Sequence, residues 1–313
     1  MTLSLILLLG GLILLTLAAD RFVLSATRLS RAWGLSPVLI GALVVGLGTS
    51  APELLVSSLA AGRGEIDLAV GNVVGSNTAN VTLVLGATAL VGPVLARART
   101  IKREGVLVFM MSVAFGTLLW DLRLGRLEAA ALVLGMVAVG VLLVRWSRED
   151  TRLGIEPISP EANSTVPVRV AREVILGTAA MALTLLGAEL LVRGASRLAD
   201  ELEIGSAFVG LVIVSIGTSL PELATAMAAA RRGETDLILG NVLGSNLFNT
   251  LMVGGIAGLV GPGPVDGSFR IALILMVTSS AVAGFFVFTG RRLVRWEGAV
   301  LLCIFLAFIA AVA

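Results

Sequence analysis

Two carboxylates, Glu53 and Glu222, sit inside segments that otherwise read as membrane spans. The stretch Gly48-Thr49-Ser50-Ala51-Pro52-Glu53 returns 169 residues later as Gly217-Thr218-Ser219-Leu220-Pro221-Glu222. An ionisable side chain at membrane depth is costly and by default marks a functional site. The proline in each copy removes a backbone donor and frees a carbonyl one turn earlier. In hydrocarbon such freed groups persist only where protein, water or a ligand satisfies them. Thr49 and Glu53 are four residues apart and so share a helix face. The chemistry implied is a cluster of hydroxyl, carboxylate and carbonyl oxygens, suited to a hard cation such as Na⁺ or Ca²⁺. A single copy also admits the lesser reading of a packing kink beside a satisfied glutamate. Two matched copies point to one site assembled from two halves.

A second motif repeats at the same offset: Gly71-Asn72-Val73-Val74-Gly75-Ser76-Asn77-Thr78-Ala79-Asn80 and Gly240-Asn241-Val242-Leu243-Gly244-Ser245-Asn246-Leu247-Phe248-Asn249. Ser76 and Asn80, like Ser245 and Asn249, are four apart and present neutral oxygens on one face. The glycines at 71 and 75 and at 240 and 244 are small-xxx-small pairs that allow close helix approach. Asn72 and Asn241 fit a ligand shell and an interhelical hydrogen bond equally well. Glu65, Asp67, Glu234 and Asp236, beside Arg63 and Arg232, read as interfacial charges at span ends. With Glu53 and Glu222 as its only acids, the core carries two formal negative charges. One Ca²⁺, two Na⁺ or two protons would neutralise it, and competition for two shared carboxylates is a sufficient physical basis for antiport.

The elements that must hold these groups are helices in a bilayer. Of 313 residues, 57% are hydrophobic and 14% charged, with a mean hydropathy of +1.00. Apolar segments of about 20 residues recur along the chain, which is the transmembrane signal; the alternation of a β-barrel is absent. Ten spans are expected, near 3–26, 36–62, 67–92, 104–121, 126–146, 170–197, 205–230, 236–260, 267–289 and 293–313. The first is kept as a mature span because its end matches the sixth at the same offset, Asp20 with Glu189 and Arg28 with Arg197. The expectation is an all-α membrane protein of ten transmembrane helices, with helices 2 and 7 broken at a midplane ion site. Residues 1–146 form one five-helix repeat (motif region 46–85), 147–169 a polar linker and 170–313 the second repeat (motif region 215–254). Five spans per half is an odd number, so the halves are inverted.

Basic residues collect on one side, at 28–31, 97–103, 145–172, 231–232 and 291–295. The positive-inside rule makes that side, with the 147–169 linker, cytoplasmic. Both termini and the acidic 200–203 loop then face outward, with the chain in the cell (plasma or inner) membrane. A net charge of +2 gives no reason to propose nucleic acid as a partner. The lone Cys303 excludes an intrachain disulfide, and the lack of histidine excludes imidazole metal sites and a Ser–His dyad. No GxGD-type aspartyl pair is present either, so an intramembrane enzyme finds no support.

The GTSAPE/GTSLPE and GNVVGSN/GNVLGSN pairs resemble the two α-repeats of the cation/Ca²⁺ exchanger superfamily, in pattern most like prokaryotic sodium/calcium exchangers. The resemblance implies a secondary active antiporter exchanging Ca²⁺ for Na⁺ across the lipid bilayer, with no cofactor. Spans one and six would slide to expose the site to each side in turn. Carried over by motif position, the ion ligands are Thr49, Ser50, Glu53, Ser76 and Asn80, with Thr218, Ser219, Glu222, Ser245 and Asn249. Backbone carbonyls near Gly46 and Ser215 complete that shell. One departure stands out: similar exchangers often carry Asp where this chain has Asn249, which keeps an oxygen but removes a charge. The runner-up is Ca²⁺/H⁺ antiport on the same two glutamates; a cation channel is a third class.

Overall fold

Backbone polar groups cannot stay unpaired in hydrocarbon, so a chain this apolar must satisfy them within helices. The computed structural model, which describes residues 2–155, 167–201 and 215–312, is helical almost throughout. The first half comprises α1 (Thr2–Trp33), α2 (Pro37–Thr49), α3 (Ala51–Gly62), α4 (Ile66–Val91), α5 (98–118) and α6 (Arg126–Arg152). The second comprises α7 (Val170–Glu201), α8 (Ser215–Thr218), α9 (Leu220–Arg231), α10 (Thr235–Val260), α11 (Phe269–Gly290) and α12 (Arg295–Val312). Among the described residues seven helices are long and apolar enough to cross a membrane, or eight if the bent pair α2 and α3 is one span.

Most expected spans fall on these helices within a few residues, with instructive differences. The first continues from 26 to Trp33, and the fifth from 146 to Arg152, so the start of the expected linker is helical. Its charges, Glu149 and Asp150, explain the extension: they pair with Arg99 and Arg103 at the start of α5. The remainder of the linker through 166, with Pro157 and Pro160, lies outside the described residues. So do residues 202–214, which include Glu203 of the expected acidic loop and the start of the expected seventh span.

Pro52 and Pro221 each occupy the first turn of a helix, where a missing N–H costs nothing. The preceding serines leave helical geometry in the same way, Ser50 at φ −85° and ψ 10°, Ser219 at φ −88° and ψ 3°. At Ser50 the axis turns by 46°.

Two short antiparallel ribbons join the halves. Val94–Leu95 (β1) pairs with Arg292–Leu293 (β4), and Arg123–Leu124 (β2) with Gly263–Pro264 (β3). Shifted by 169 residues, β1 falls on β3 and β2 on β4, so the ribbons exchange when the halves exchange. Elsewhere glycine sets the spacing. A β-carbon on Gly41 would lie 2.8 Å from the Leu237 carbonyl oxygen, and one on Gly46 would lie 2.9 Å from the Ser245 nitrogen. The expected close approach through Gly240 and Gly244 is therefore present, against α2. Gly71 instead faces the Phe269 ring at 3.4 Å. Between α1 and α7 the backbones also touch, since a β-carbon on Gly187 would fall 2.6 Å from the Leu15 nitrogen.

A β-carbon at Gly244 would meet the Ala42 carbonyl oxygen at 2.5 Å, and backbone has no rotamer with which to yield. Gly244→Ala is expected to destabilise the detergent-solubilised protein by about 1–3 kcal/mol in thermal unfolding. Gly10→Ala, with nothing within 4 Å, should leave the midpoint unchanged or slightly raised.

Candidate functional site

The two breaks place Glu53 in the first turn of α3 and Glu222 in the first turn of α9. A helix start leaves backbone N–H groups unpaired and carries the positive end of the peptide dipole, which favours a carboxylate there. Both side chains are fully enclosed, at 1% and 0% exposure, and lie close enough for their charges to interact. The halves cross at this point. Ser50 donates through its hydroxyl to Glu222 Oε1 at 2.7 Å, and Thr49 lies beside the same carboxylate. Thr218 stands beside Glu53. Each motif thus brings hydroxyls beside the acid of the other, and among these Ser50 makes a hydrogen bond of ordinary geometry, to Glu222. Gly48 and Gly217 face Met181 and Val192, which lets α7 pass directly over both breaks.

The Ser/Asn faces arrive from α4 and α10, where Ser76, Asn80, Ser245 and Asn249 are all buried. Both asparagines begin a segment of i→i+5 hydrogen bonding, Asn80–Val84 and Asn249–Val253. Such a π-bulge is frequent at functional sites. Ser245 donates to the Gly46 carbonyl at 3.2 Å, and Thr49 donates to the Val45 carbonyl at 2.9 Å. The carbonyl expected near Ser215 lies at the edge of the described residues.

Several of these buried polar atoms make no hydrogen bond of ordinary geometry within the described protein: both Glu53 oxygens, Glu222 Oε2, Ser76 Oγ, Ser219 Oγ, Asn80 Oδ1 and the Asn249 amide. Enclosed polar atoms normally find partners, because stripping one of water without replacement costs about 1–3 kcal/mol, and more for a charge. Here the exceptions concentrate on the residues expected from the sequence. Among the described residues no three His, Cys, Asp or Glu side chains gather as a metal site. The available donor set is two carboxylates with neutral oxygens, which is cation chemistry of the Na⁺ and Ca²⁺ kind.

Asn72 and Asn241 resolve into clamps. Asn72 donates to the Glu53 carbonyl at 3.2 Å and to Ser57 Oγ at 2.9 Å. Asn241 does the same for the Glu222 carbonyl and Thr225 Oγ1, both at 3.2 Å. Asn77 and Asn246 carry a role that motif spacing alone left unassigned. Asn80 donates to Asn246 Oδ1 at 3.0 Å, Asn246 to the Asn77 carbonyl at 3.4 Å, and Asn77 to Thr250 at 2.8 Å, so α4 and α10 are cross-braced beside the acids. Their recurrence at the same offset was the available signal.

The interfacial reading of the span-end acids holds only in the first half. Glu65 and Asp67 are exposed, with Asp67 accepting from the Asp266 N–H at 2.8 Å. Glu234 and Asp236 are buried, at 1% and 2%, because α1 and the 94–97 segment pack over that turn; Arg97 stands 3.8 Å from Asp236.

The family model described as sodium/calcium exchanger protein matches residues 3–145 and again 173–313. The inner membrane protein YrbG of Escherichia coli is 37% identical over 85% of this chain and 82% of its own length. The sodium/calcium exchanger MaX1 of Methanosarcina acetivorans is 30% identical over 98% of both. Among solved structures, that of the sodium-calcium exchanger NCX_Mj superposes with a TM-score of 0.84 at 28% identity, covering 99% of this chain and 98% of the other.

Ser50→Ala would leave Glu222 Oε1 without its hydroxyl donor. A hydrogen bond to a buried charge contributes about 1.5–3 kcal/mol, and thermal unfolding of the purified variant should register a loss of that order.

Proposed function

Because the chain belongs to the sodium/calcium exchanger protein family, and is a multi-pass membrane transporter rather than an enzyme, we propose that it exchanges Ca²⁺ for Na⁺ by alternating access. Glu53 and Glu222 are the carboxylates that both ions share. The observation that carries this reading is the meeting of two enclosed carboxylates from opposite halves, beside Ser76, Ser219, Asn80 and Asn249, whose side-chain oxygens make no hydrogen bond within the described protein. Thr49, Ser50, Ser76, Asn80, Thr218, Ser219, Ser245 and Asn249 complete the ligand set, with the Gly46 carbonyl and its counterpart near Ser215. One Ca²⁺ or two Na⁺ balance the paired charge, so each ion displaces the other.

In this reading residues 1–146 and 170–313 are inverted five-span repeats joined by a cytoplasmic linker at 147–169, with spans 2 and 7 broken at the site. Ten spans then carry both termini to the outside of the cell membrane, and an inward Na⁺ gradient drives Ca²⁺ out. The bend at Ser50, the matching geometry at Ser219 and the exchanging β-ribbons support that symmetry. Asn249 keeps the site at two acids rather than three.

Ion flux tests the reading. Proteoliposomes loaded with Na⁺ and diluted into Na⁺-free Ca²⁺ medium should accumulate Ca²⁺, and collapsing the Na⁺ gradient should stop it. Glu53→Gln and Glu222→Gln should each reduce uptake by about two orders of magnitude, since unbalancing a buried charge site costs on the order of 3 kcal/mol. Arg63→Ala should be mild by comparison. Uptake that ignores Na⁺ but follows an imposed pH gradient would make H⁺ the counter-ion. Near-normal exchange in either glutamine variant would refute the shared two-carboxylate site.

A further inference from the structure

The halves correspond in sequence, yet their equivalent charged residues do different things. At the 169-residue offset Asp20 corresponds to Glu189, and Arg63 to Arg232. Asp20, on α1, accepts two hydrogen bonds from Arg232 at the end of α9, from Nε at 2.8 Å and from Nη2 at 2.6 Å. This bidentate pair joins the first half to the second, and the paired geometry gives it directional specificity. Its counterpart would join Glu189 on α7 to Arg63 at the end of α3. That pair is not made. Glu189 turns to Arg193 on its own helix, at 2.6 Å, and Arg63 is exposed, with no side-chain hydrogen bond or ion pair among the described residues.

Packing differs in the same sense. α1 lies along α9, whereas among the described residues α7 and α3 share no comparable contact. The turn after α9 is covered, with Glu234 at 1% exposure, while the equivalent Glu65 after α3 is exposed. Both sets of partners exist in the chain, so the asymmetry belongs to the conformation rather than to the composition.

We propose that Asp20–Arg232 and Glu189–Arg63 are alternating latches: the first holds the α1–α7 pair against the core in the conformation described here, and the second replaces it when the opposite face opens. The inference rests on the alternating-access reading and adds the residues that set its bias. Asp20 and Arg232 remain 44% and 31% exposed, so the pair is screened by solvent and weak. A weak latch suits a step that must be reversed in every cycle, because a strong one would trap a single state. Neither pair touches the ion site; these are positioning residues.

The test reads which face is open, independently of the ion that drives transport. In a Cys303→Ser background, Glu65→Cys and Glu234→Cys serve as separate reporters for a thiol reagent applied to the protein in nanodiscs. Asp20→Asn should slow labelling at 65 and speed it at 234, by about two- to fivefold. Glu189→Gln should shift both in the opposite directions. The charge-exchanged variant Asp20→Arg with Arg232→Asp should restore the original pattern. Shifts of the same sign in Asp20→Asn and Glu189→Gln, or no shift in either, would overturn the latches. Should the Glu234→Cys protein fold poorly, apparent Ca²⁺ affinity on the two faces of oriented proteoliposomes gives the same answer, moving oppositely for the two variants. A wild type that labels as expected but carries no Ca²⁺ would sink the proposed function and leave the latches standing.

Discussion

Enclosing two like charges side by side is the constraint on which the rest of this structure depends. Glu53 and Glu222 have almost no solvent contact, and in a low-dielectric interior their mutual repulsion and desolvation both oppose folding. The chain offsets part of that cost locally. Each acid begins a helix, where the peptide dipole is favourable, and the hydroxyls of each motif turn to the acid of the other. What the protein does not supply is a full set of partners for the carboxylate and amide oxygens. On the proposed reading the transported cation completes them, so the instability of the bare site is the source of its affinity.

The breaks, bulges and glycines follow from that requirement. A continuous helix through Ser50 would carry Glu53 away from a helix start. The bend before Pro52 puts it in the first turn of α3, while the ladder hydrogen bonds from the Ser50 N–H to Gly46 and from the Leu54 N–H to Ser50 continue across it. The π-bulges beginning at Asn80 and Asn249 interrupt the regular ladder of α4 and α10 beside the acids. Four helices can converge on one pair of acids only if their backbones come close, which Gly41, Gly46, Gly240 and Gly244 permit. Asn72 and Asn241 then tie each acid-bearing helix to its neighbour through the glutamate's own carbonyl. The α1–α7 pair is built differently, in direct backbone contact and crossing the core beside both breaks, with Asp20–Arg232 tying α1 to the end of α9.

How far the sequence could be read depended on whether a residue's meaning was local. Helix type, span positions and the internal repeat are local or periodic properties, and hydropathy with the 169-residue offset made them legible. The acids could be singled out because a charge inside an apolar run has few uses. Motif spacing gives Asn77 and Asn246 no role, because an asparagine beside a ligand face looks the same whether it binds an ion or a neighbouring helix. The interfacial expectation for Glu234 and Asp236 fails for a related reason: burial of a turn depends on what packs beside it, and Asp20, which holds Arg232 in that turn, is more than two hundred residues away in the chain.

By itself, then, the sequence determined that this chain is a helical membrane protein with a duplicated cation-type motif and two acids at its centre. Those conclusions need only composition, periodicity and repetition. The tertiary structure decided which oxygens face one another, that hydroxyls of each half lie beside the other's acid, and that one of two equivalent ion pairs is made while the other is open. Contacts between distant segments depend on how the two halves are docked. A sequence with near-symmetric halves encodes both members of each pair but not which of them a given conformation forms.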